Sequence, residues 1–425
     1  MVRLFARFVR LISELATIAY YPHMGKNIFL LILIMLSTGR ISLAQRQSSL
    51  ILPQTTDPGI TTNLNNHFVS INRSVTQKNQ LFIFLPGTGG VGITAREINW
   101  TAADLGFHAI NLTYPNDEAI NDLCSATADL DCYANARLEV LDGTNRSSLV
   151  NVSRPNSIEN RLIKLLIYLR TQSPNDNWGQ FLINDSTIDW SKIVITGHSQ
   201  GGGHAAIIGR YHAVARVVMF AAMDFNARSN APANWIAQPN TTPNATTPDR
   251  FWGFSHTRDD QVNFTLLTNR IWPAYGMPTF GAVSNVDTQG PPFSNTHSLT
   301  TDLDCDVTHG CIVVDARLSR LPDGTPIYKP VWEYLLSNTV ASSASISGRV
   351  LSPSGIAIRN VIVTLTDSQG IRRTAVTGSF GTFTFEDVLA GQTVIIGASS
   401  KRYRFAPISI SLTANLLNVD LIGLE

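Results

Sequence analysis

One short segment, KIVITGHSQGGG at residues 192–203, constrains the fold of this chain more than any other. An apolar run leads into Gly197–Gly201 (GHSQG), a G-x-S-x-G pattern, and the residues after it open a helix. A serine centred in so tight a strand-to-helix turn has a strained backbone, so the residues two positions away must be small. Both are glycine here. The spacing therefore predicts a buried strand, a turn that presents Ser199, and a helix N-terminus behind it.

The segment from residue 80 to 337 alternates short apolar runs with helical stretches, which is typical of a mostly parallel sheet covered by helices on both faces. Residues 158–171 place apolar side chains at positions 162, 165, 166 and 169, the spacing of one helix face. A closing helix is expected at Val331–Leu336. The predicted strands are Leu81–Leu85, His108–Thr113, Ile193–Thr196, Val217–Ala221, Phe251–Ser255 and, more weakly, His297–Thr301. The predicted fold class of residues 45–337 is therefore α/β.

A different pattern begins after residue 337. Residues 338–344 are small and polar like a linker, and residues 345–425 alternate apolar and polar side chains over short spans. Such alternation predicts a small all-β sandwich of antiparallel strands. The pieces GRV, VTLT and FTFEDV resemble those of carboxypeptidase regulatory-like, transthyretin-like domains. That resemblance implies a binding or spacing role, with contact to a surface or a polymer, and no chemistry of its own.

The first 44 residues have the pattern of a leader. After Met24 and Lys26 comes the apolar run Ile28–Leu36, and a polar end closes in Ser42–Ala44 (SLA), a small-x-small cleavage pattern. This order predicts a signal peptide with its true start at Met24, and hence a secreted protein, extracellular or periplasmic. A membrane anchor that begins at residue 1 is the alternative, although the apolar run is short for a span. After cleavage we expect no stable membrane span.

Four cysteines form two close pairs in the sequence, Cys124 with Cys132 and Cys305 with Cys311. Two local disulfides are the simplest pairing in an exported chain, and the other two connectivities stay open. The spacing of Cys and His residues is not that of a metal site, so we predict no structural metal.

Net charge excludes a class of partner. The 32 Lys and Arg residues nearly balance the 31 Asp and Glu residues, for a formal charge of +1. An overall electrostatic field that would draw the chain to nucleic acid or to anionic lipid is therefore absent. A small neutral or mixed substrate is the natural expectation.

Four short motifs resemble those of the α/β-hydrolase superfamily over residues 65–337: LPGTGG (85–90), GHSQGG (197–202), HTRDDQV (256–262) and DVTHG (306–310). The resemblance implies a catalytic triad in the chain order serine, acid, histidine. It makes Ser199 the nucleophile, Asp259 the acid and His309 the base. Asp259 lies three residues before a valine, as the acid of such enzymes commonly does, and His309 follows the last predicted strand. Asp260 and Asp224 stay open as alternative acids.

The loop after Leu81–Leu85 permits two interpretations. Its glycines at 87, 89 and 92 spell G-x-G-x-x-G, a dinucleotide-binding pattern, yet hydrolases take an oxyanion donor from a loop at this point. A dinucleotide site would need an acid at the end of the next strand, but that strand ends in TYPN and Asp117 lies beyond the proline. We therefore predict an oxyanion hole formed by the amides of Gln200 and of Thr88 or Gly89, with no cofactor.

These inferences predict a secreted serine hydrolase, in the first place a carboxylesterase that works through an acyl-enzyme. Its substrate would be a small-molecule or polymer-linked ester. Two inserts, residues 116–155 and 226–249, are expected to build the pocket. Two alternatives stay open: a serine peptidase of the prolyl-oligopeptidase-like type, because the acid loop is similar, and a non-catalytic binding protein that keeps the hydrolase fold as a scaffold.

Overall fold

The computed structural model describes residues 46–237, 245–337, 343–367, 372–389, 392–412 and 415–424. The predicted leader and residues 338–342 of the predicted linker lie outside these ranges. Within them, no helix combines the length and the apolarity that a membrane crossing requires.

A mixed sheet organises the first part of the chain, and nine strands of the described residues form it. They are β1 (Arg46–Ile51), β2 (His67–Asn72), β3 (Leu81–Leu85), β4 (His108–Asn111), β5 (Ile193–His198), β6 (Arg216–Phe220), β7 (Phe251–His256), β8 (Ser284–Asn285) and β9 (Ser298–Thr301). Their order is β1-β2-β4-β3-β5-β6-β7-β9-β8. β2 is antiparallel to both of its neighbours and the other pairs are parallel. The predicted α/β class with a mostly parallel sheet is confirmed.

The most apolar strands lie at the centre of this sheet. β3 (LFIFL) and β5 (IVITGH) pair in parallel, and every residue of both is buried. A strand buried on both faces takes apolar side chains at nearly every position instead of alternating them. Because β3, β5, β6 and β7 are parallel neighbours, their carboxyl ends lie along one edge of the sheet. The loops that follow Leu85, His198, Phe220 and His256 therefore lie in a row along this edge.

Ten α-helical segments accompany the sheet within the described residues. They are α1 (Pro53–Thr56), α2 (Arg96–Asp104), α3 (Ile120–Cys124), α4 (Cys132–Asp142), α5 (Ile158–Gln172), α6 (Gln200–Tyr211), α7 (Asn234–Ala237), α8 (Phe264–Leu266), α9 (Trp272–Ala274) and α10 (Lys329–Leu336). The side chain of Ser157 caps α5 by accepting the amide of Asn160. The buried face of α5 includes the four predicted positions, Leu162, Leu165, Leu166 and Leu169.

The predicted and observed elements differ mainly at their ends and at the margins of the sheet. β4 stops at Asn111 instead of Thr113, and α10 begins at Lys329 instead of Val331. The prediction lacks β1, β2 and β8. β1 and β8 are edge strands, and the β1 sequence (RQSSLI) is largely polar and exposed. The predicted pocket insert at 116–155 contains the helices α3 and α4.

The second part of the chain is all-β, as predicted. Its described strands are β10 (Ser343–Leu351), β11 (Ile362–Thr366), β12 (Arg372–Val376), β13 (Thr382–Leu389), β14 (Gln392–Ser399), β15 (Ile408–Leu412) and β16 (Leu421–Ile422). They form two sheets, β13-β10-β16 and β12-β11-β14-β15. Pairing is antiparallel except between β10 and β16, which run parallel. The apolar residues of both sheets form a separate core that includes Ile346, Val363, Phe385 and Ile396.

Candidate active site

Ser199 lies in a strained turn between β5 and α6. Its backbone has φ 54° and ψ −120°, a left-handed value of φ that a residue with a Cβ seldom adopts. The glycines on either side allow this turn: a Cβ on Gly197 would collide with the backbone of Gly201, and one on Gly201 with the carbonyl of Leu85. The turn predicted from the G-x-S-x-G spacing is therefore present, and α6 begins directly after the serine.

His309 and Asp259 form a buried hydrogen-bonded pair. The imidazole Nδ1–H of His309 donates to both carboxylate oxygens of Asp259, at 2.9 and 3.0 Å. The side chain of His309 is only 7% exposed and that of Asp259 is fully buried. Asp259 is itself held in place because its Oδ1 accepts the amides of Gln261 and Val262, each at 2.9 Å. This arrangement fixes the orientation of the imidazole ring.

The other ring nitrogen of His309 is free. Its Nε2 is buried and has no hydrogen-bond partner among the described residues. His309 and Ser199 line the same two cavities, although no hydrogen bond joins the serine hydroxyl to Nε2. Such bonds are often long before a substrate binds. The ring thus keeps an unused lone pair on Nε2, in a residue that lines the same cavities as Ser199.

The two alternative acids have other partners. Asp260 is exposed, and its Oδ1 accepts a long hydrogen bond of 3.4 Å from Thr308 Oγ1. Asp224 is buried and forms a bidentate ion pair with Arg137, at 2.5 and 2.6 Å. Among the described residues neither carboxylate is hydrogen-bonded to His309, whereas both oxygens of Asp259 are.

The amide of Gly89 is unavailable as an oxyanion donor, which corrects one prediction. It donates to the carbonyl of Asn116 at 2.9 Å. Within the part of the chain that the structure describes, the amides of Thr88 and Gln200 have no protein acceptor. The side chains of these two residues also join their loops, because Thr88 Oγ1 donates to Gln200 Oε1 at 3.1 Å. Two neighbouring N–H donors therefore remain for a bound oxyanion.

Arg137, on α4, is a site residue that the sequence did not indicate. Its Nη1 donates to the carbonyl of Gln200 at 2.8 Å, and this hydrogen bond helps to fix the first residue of α6. Its charge is balanced by Asp224, and the two side chains are only 3% and 1% exposed. A single arginine within a helix is an ordinary sequence feature, and only the fold brings Arg137 to the carbonyl of Gln200.

His198 supports the loop that carries His309. Its Nε2–H donates to the backbone carbonyl of His309 at 2.7 Å, and the two rings lie 4.7 Å apart. Burial, together with the nearby His309, lowers the pKa of His198 to about 4. The ring is therefore neutral at pH 7 and acts as a hydrogen-bond donor to the backbone.

Both local disulfides are present, Cys124–Cys132 and Cys305–Cys311. The second encloses His309, and the first joins α3 to α4 beside the larger cavity. Both are compatible with an extracellular location.

Of the described residues, His256 with Cys305 and Cys311 is the one group close enough for a metal. The disulfide uses both sulfurs, and both nitrogens of His256 have backbone hydrogen bonds, so this group does not fit a metal ion.

Two cavities meet at Ser199 and His309. The larger, about 490 Å³, has the more polar walls, and the smaller is about 230 Å³. The larger is lined by residues that include Asn121, Asp122, Arg137 and Gln261. The smaller is lined by residues that include Phe84, Pro86, Ala95 and Val314. A substrate whose reacting atom lies at Ser199 would place one part in each cavity.

Comparison with known proteins identifies only the C-terminal part. A family model for the carboxypeptidase regulatory-like domain matches residues 345–418. The chain has no match among curated proteins.

Parts of several solved structures are similar to a part of this chain. The TIE protein of Bacillus anthracis is 11% identical over 20% of this chain and 17% of that chain, with a TM-score of 0.17. Catechol 1,2-dioxygenase from Acinetobacter sp. ADP1 is 9% identical over 21% of this chain and 54% of that chain, with a TM-score of 0.18. The major pilin subunit BcpA of Bacillus cereus is 11% identical over 19% of this chain and 29% of that chain, with a TM-score of 0.15. This chain thus spans 17% to 54% of their lengths. From the family match, the segment 345–418, which takes in six of the seven strands β10 to β16, is a carboxypeptidase regulatory-like domain.

Proposed function

We propose that this chain is a secreted serine hydrolase of the α/β-hydrolase fold, and that it acts on carboxylic esters. The observation that carries the proposal is the environment of His309: Asp259 holds one ring nitrogen, the other has no partner among the described residues, and the residue lines two cavities together with Ser199. A serine turn at the carboxyl end of a central parallel strand supports the fold assignment. The two disulfides support export.

The proposed first step is acylation of Ser199. His309 Nε2 takes the hydroxyl proton as Ser199 Oγ attacks the ester carbonyl carbon, and Asp259 stabilises the imidazolium. The carbonyl oxygen becomes an oxyanion, to which the amides of Thr88 and Gln200 donate hydrogen bonds. His309 then returns the proton to the leaving alkoxide, so that an alcohol departs and Ser199 carries the acyl group.

Deacylation repeats these steps with water as the nucleophile. His309 accepts a proton from water, the hydroxide oxygen bonds to the acyl carbon, and the proton passes to Ser199 Oγ as the acyl–serine bond breaks. The products are a carboxylic acid and the regenerated serine.

The cavities favour an ester with a short apolar part and a larger polar part. The smaller cavity, about 230 Å³, has less than half the volume of the larger, about 490 Å³, so it takes the smaller part of the ester. In the larger cavity the charge of Arg137 is balanced by Asp224, whereas Asp122 has no ion-pair partner among the described residues. A negatively charged substrate group would therefore be disfavoured there.

A fluorophosphonate probe tests the proposal, because it labels only activated serines. Wild-type protein should become labelled, and Ser199→Ala and His309→Ala should not. Asp259→Asn should label far more slowly, whereas the matched change Asp260→Asn should leave the rate unchanged. Folded wild-type protein that resists labelling would refute the proposal and favour a scaffold role. Acyl esters of graded length and small peptides, compared at equal concentration, then distinguish an esterase from a peptidase.

A further inference from the structure

A groove of about 660 Å³ lies at one end of the carboxypeptidase regulatory-like domain. Two loops form it, residues 352–361 between β10 and β11, and residues 400–403 after β14. The strand register explains why they lie together: Ile362, the first residue of β11, pairs with Ser399, the last residue of β14. The loop that leads into β11 and the loop that follows β14 therefore lie side by side at the same end of one sheet.

The groove is lined by positive charge. Arg359, Lys401 and Arg402 contribute to its walls, and no Asp or Glu does. In the described part of the domain, none of the three cations forms an ion pair with a carboxylate. By contrast, Arg349 in the same domain pairs with Asp420 at 3.0 Å. Three unbalanced cations around one concave surface create a positive potential at that surface.

The loops are held in shape by their own hydrogen bonds. Ser352 Oγ accepts the amide of Ile356 at 3.0 Å, and Ser400 Oγ accepts the amide of Tyr403 at 3.0 Å. The ring of Tyr403 packs against Gly423, where a Cβ would come within 3.0 to 3.3 Å of it. A ligand would therefore meet loops whose backbone is already ordered, which reduces the entropy cost of binding.

The remaining wall residues are of two kinds, polar and aliphatic, and the aliphatic ones are Ile356, Ala357, Ile358 and Val361. Besides the cations, the lining includes Ser352, Ser354, Asn360 and Ser400. The aromatic ring of Tyr403 has the guanidinium of Arg402 over it, 5.3 Å from its centre, so it does not offer an open face for a nucleobase. Cations beside hydroxyl and amide groups suit a ligand that is both anionic and rich in hydroxyls.

We propose that this groove binds the carboxylate groups of an acidic polysaccharide. Binding here is a property of the C-terminal domain and does not depend on the hydrolase activity proposed above. A carboxylate can accept two parallel hydrogen bonds from an arginine, while the sugar hydroxyls bond to the exposed side chains of Ser354 and Asn360. The groove would then hold the protein on a charged polymer.

The test uses the full-length chain and two polymers with the same backbone, dextran and carboxymethyl dextran, in a surface-binding assay. The protein should bind carboxymethyl dextran, more weakly at 200 mM than at 50 mM NaCl, and should not bind dextran. The double variant Arg359→Ser/Arg402→Ser should bind about fivefold to tenfold more weakly, since each exposed ion pair contributes modestly.

A matched control removes the same charge elsewhere. Arg228 and Arg372 are exposed arginines that do not line the groove, and Arg228→Ser/Arg372→Ser should keep binding within twofold of wild type. Ser199→Ala should also bind like wild type, so loss of hydrolase activity and loss of polymer binding can be told apart.

Three results would overturn the proposal. Equal losses in the two double variants would mean that general surface charge, and not the groove, attracts the polymer. Equal binding to dextran and carboxymethyl dextran would remove the role of the carboxylates. Binding to phosphatidylglycerol vesicles without binding to carboxymethyl dextran would point to a membrane surface instead.

Discussion

Replacing Asp224 by asparagine should destabilise the α/β part of the chain strongly, because it leaves a buried charge unpaired. The side chains of Asp224 and Arg137 are 1% and 3% exposed, and two hydrogen bonds join them. Removing one partner of such a pair costs about 3–5 kcal/mol, since the remaining ion is desolvated without compensation. Domains of this kind have a total stability of about 5–15 kcal/mol, so the loss is a large fraction.

Guanidinium denaturation followed by tryptophan fluorescence measures this loss selectively. All seven tryptophans lie between residues 100 and 332, so none is in the C-terminal domain. With a denaturant dependence of about 6 kcal/mol per molar, the midpoint should fall by about 0.5–0.8 M. Near-UV circular dichroism at zero denaturant would show that Asp224→Asn still folds.

The matched variant is Arg137→Met/Asp224→Leu, which replaces both charges by apolar side chains. It should recover most of the lost stability, because no unpaired ion remains. A loss below 1 kcal/mol for Asp224→Asn, or a double variant less stable than the single one, would refute the reasoning.

Three further predictions concern the site and its surroundings. Asp259→Asn should lower kcat for an ester by about 10³–10⁴-fold, because the asparagine no longer stabilises the imidazolium. The midpoint of denaturation should change little. A fall in kcat of less than tenfold in steady-state kinetics would contradict the assignment of Asp259 as the acid. Replacing both Cys305 and Cys311 by serine should cost about 2 kcal/mol in denaturation and slow fluorophosphonate labelling; an unchanged labelling rate would mean that the loop needs no disulfide. Burial lowers the pKa of His67 to about 3, and burial with a neighbouring imidazole lowers that of His198 to about 4. Unfolding therefore takes up protons as the pH falls below 6.5, and each of these histidines should reduce stability by about 2 kcal/mol between pH 7 and pH 5. Denaturation curves at pH 7 and pH 5 measure this loss of stability. The variant His198→Gln should lose less stability between the two pH values than wild type. Equal wild-type curves at both pH values would refute the prediction.

The parts of the fold that sequence predicts best are those with the strongest burial. β3 (LFIFL) is a continuous apolar run and β5 opens with one (IVI), because both faces of these strands are covered, and short runs of that kind bounded by turn residues favour buried strands. β2 (HFVSIN) is also wholly buried, yet it includes histidine, serine and asparagine. Ser70 and Asn72 have side-chain hydrogen-bond partners elsewhere, and the amide of Thr113 donates to His67 Nδ1 at 3.1 Å. Such a strand lacks an apolar signature.

In the candidate site, too, the sequence predicts some features and leaves others undecided. The serine turn has local requirements, so its sequence predicts it. Asp259 and Asp260 are adjacent, and only the turn geometry turns the first towards His309 and the second to solvent. Likewise, the sequence of the loop gives no sign that the Asn116 carbonyl accepts the hydrogen bond of the Gly89 amide. These choices depend on contacts between distant segments.

The start of α6 has a consequence for the order of folding. Three successive glycines, Gly201 to Gly203, lie against the Leu85 carbonyl, the Ala222 methyl group and the Arg137 guanidinium. Each glycine costs about 1 kcal/mol relative to alanine within a helix, so this first turn gains little from its own helical propensity. It becomes stable only when β3, β6 and α4 have assembled around it. We therefore expect the strained turn at Ser199 to form late in folding, together with the tertiary structure around it.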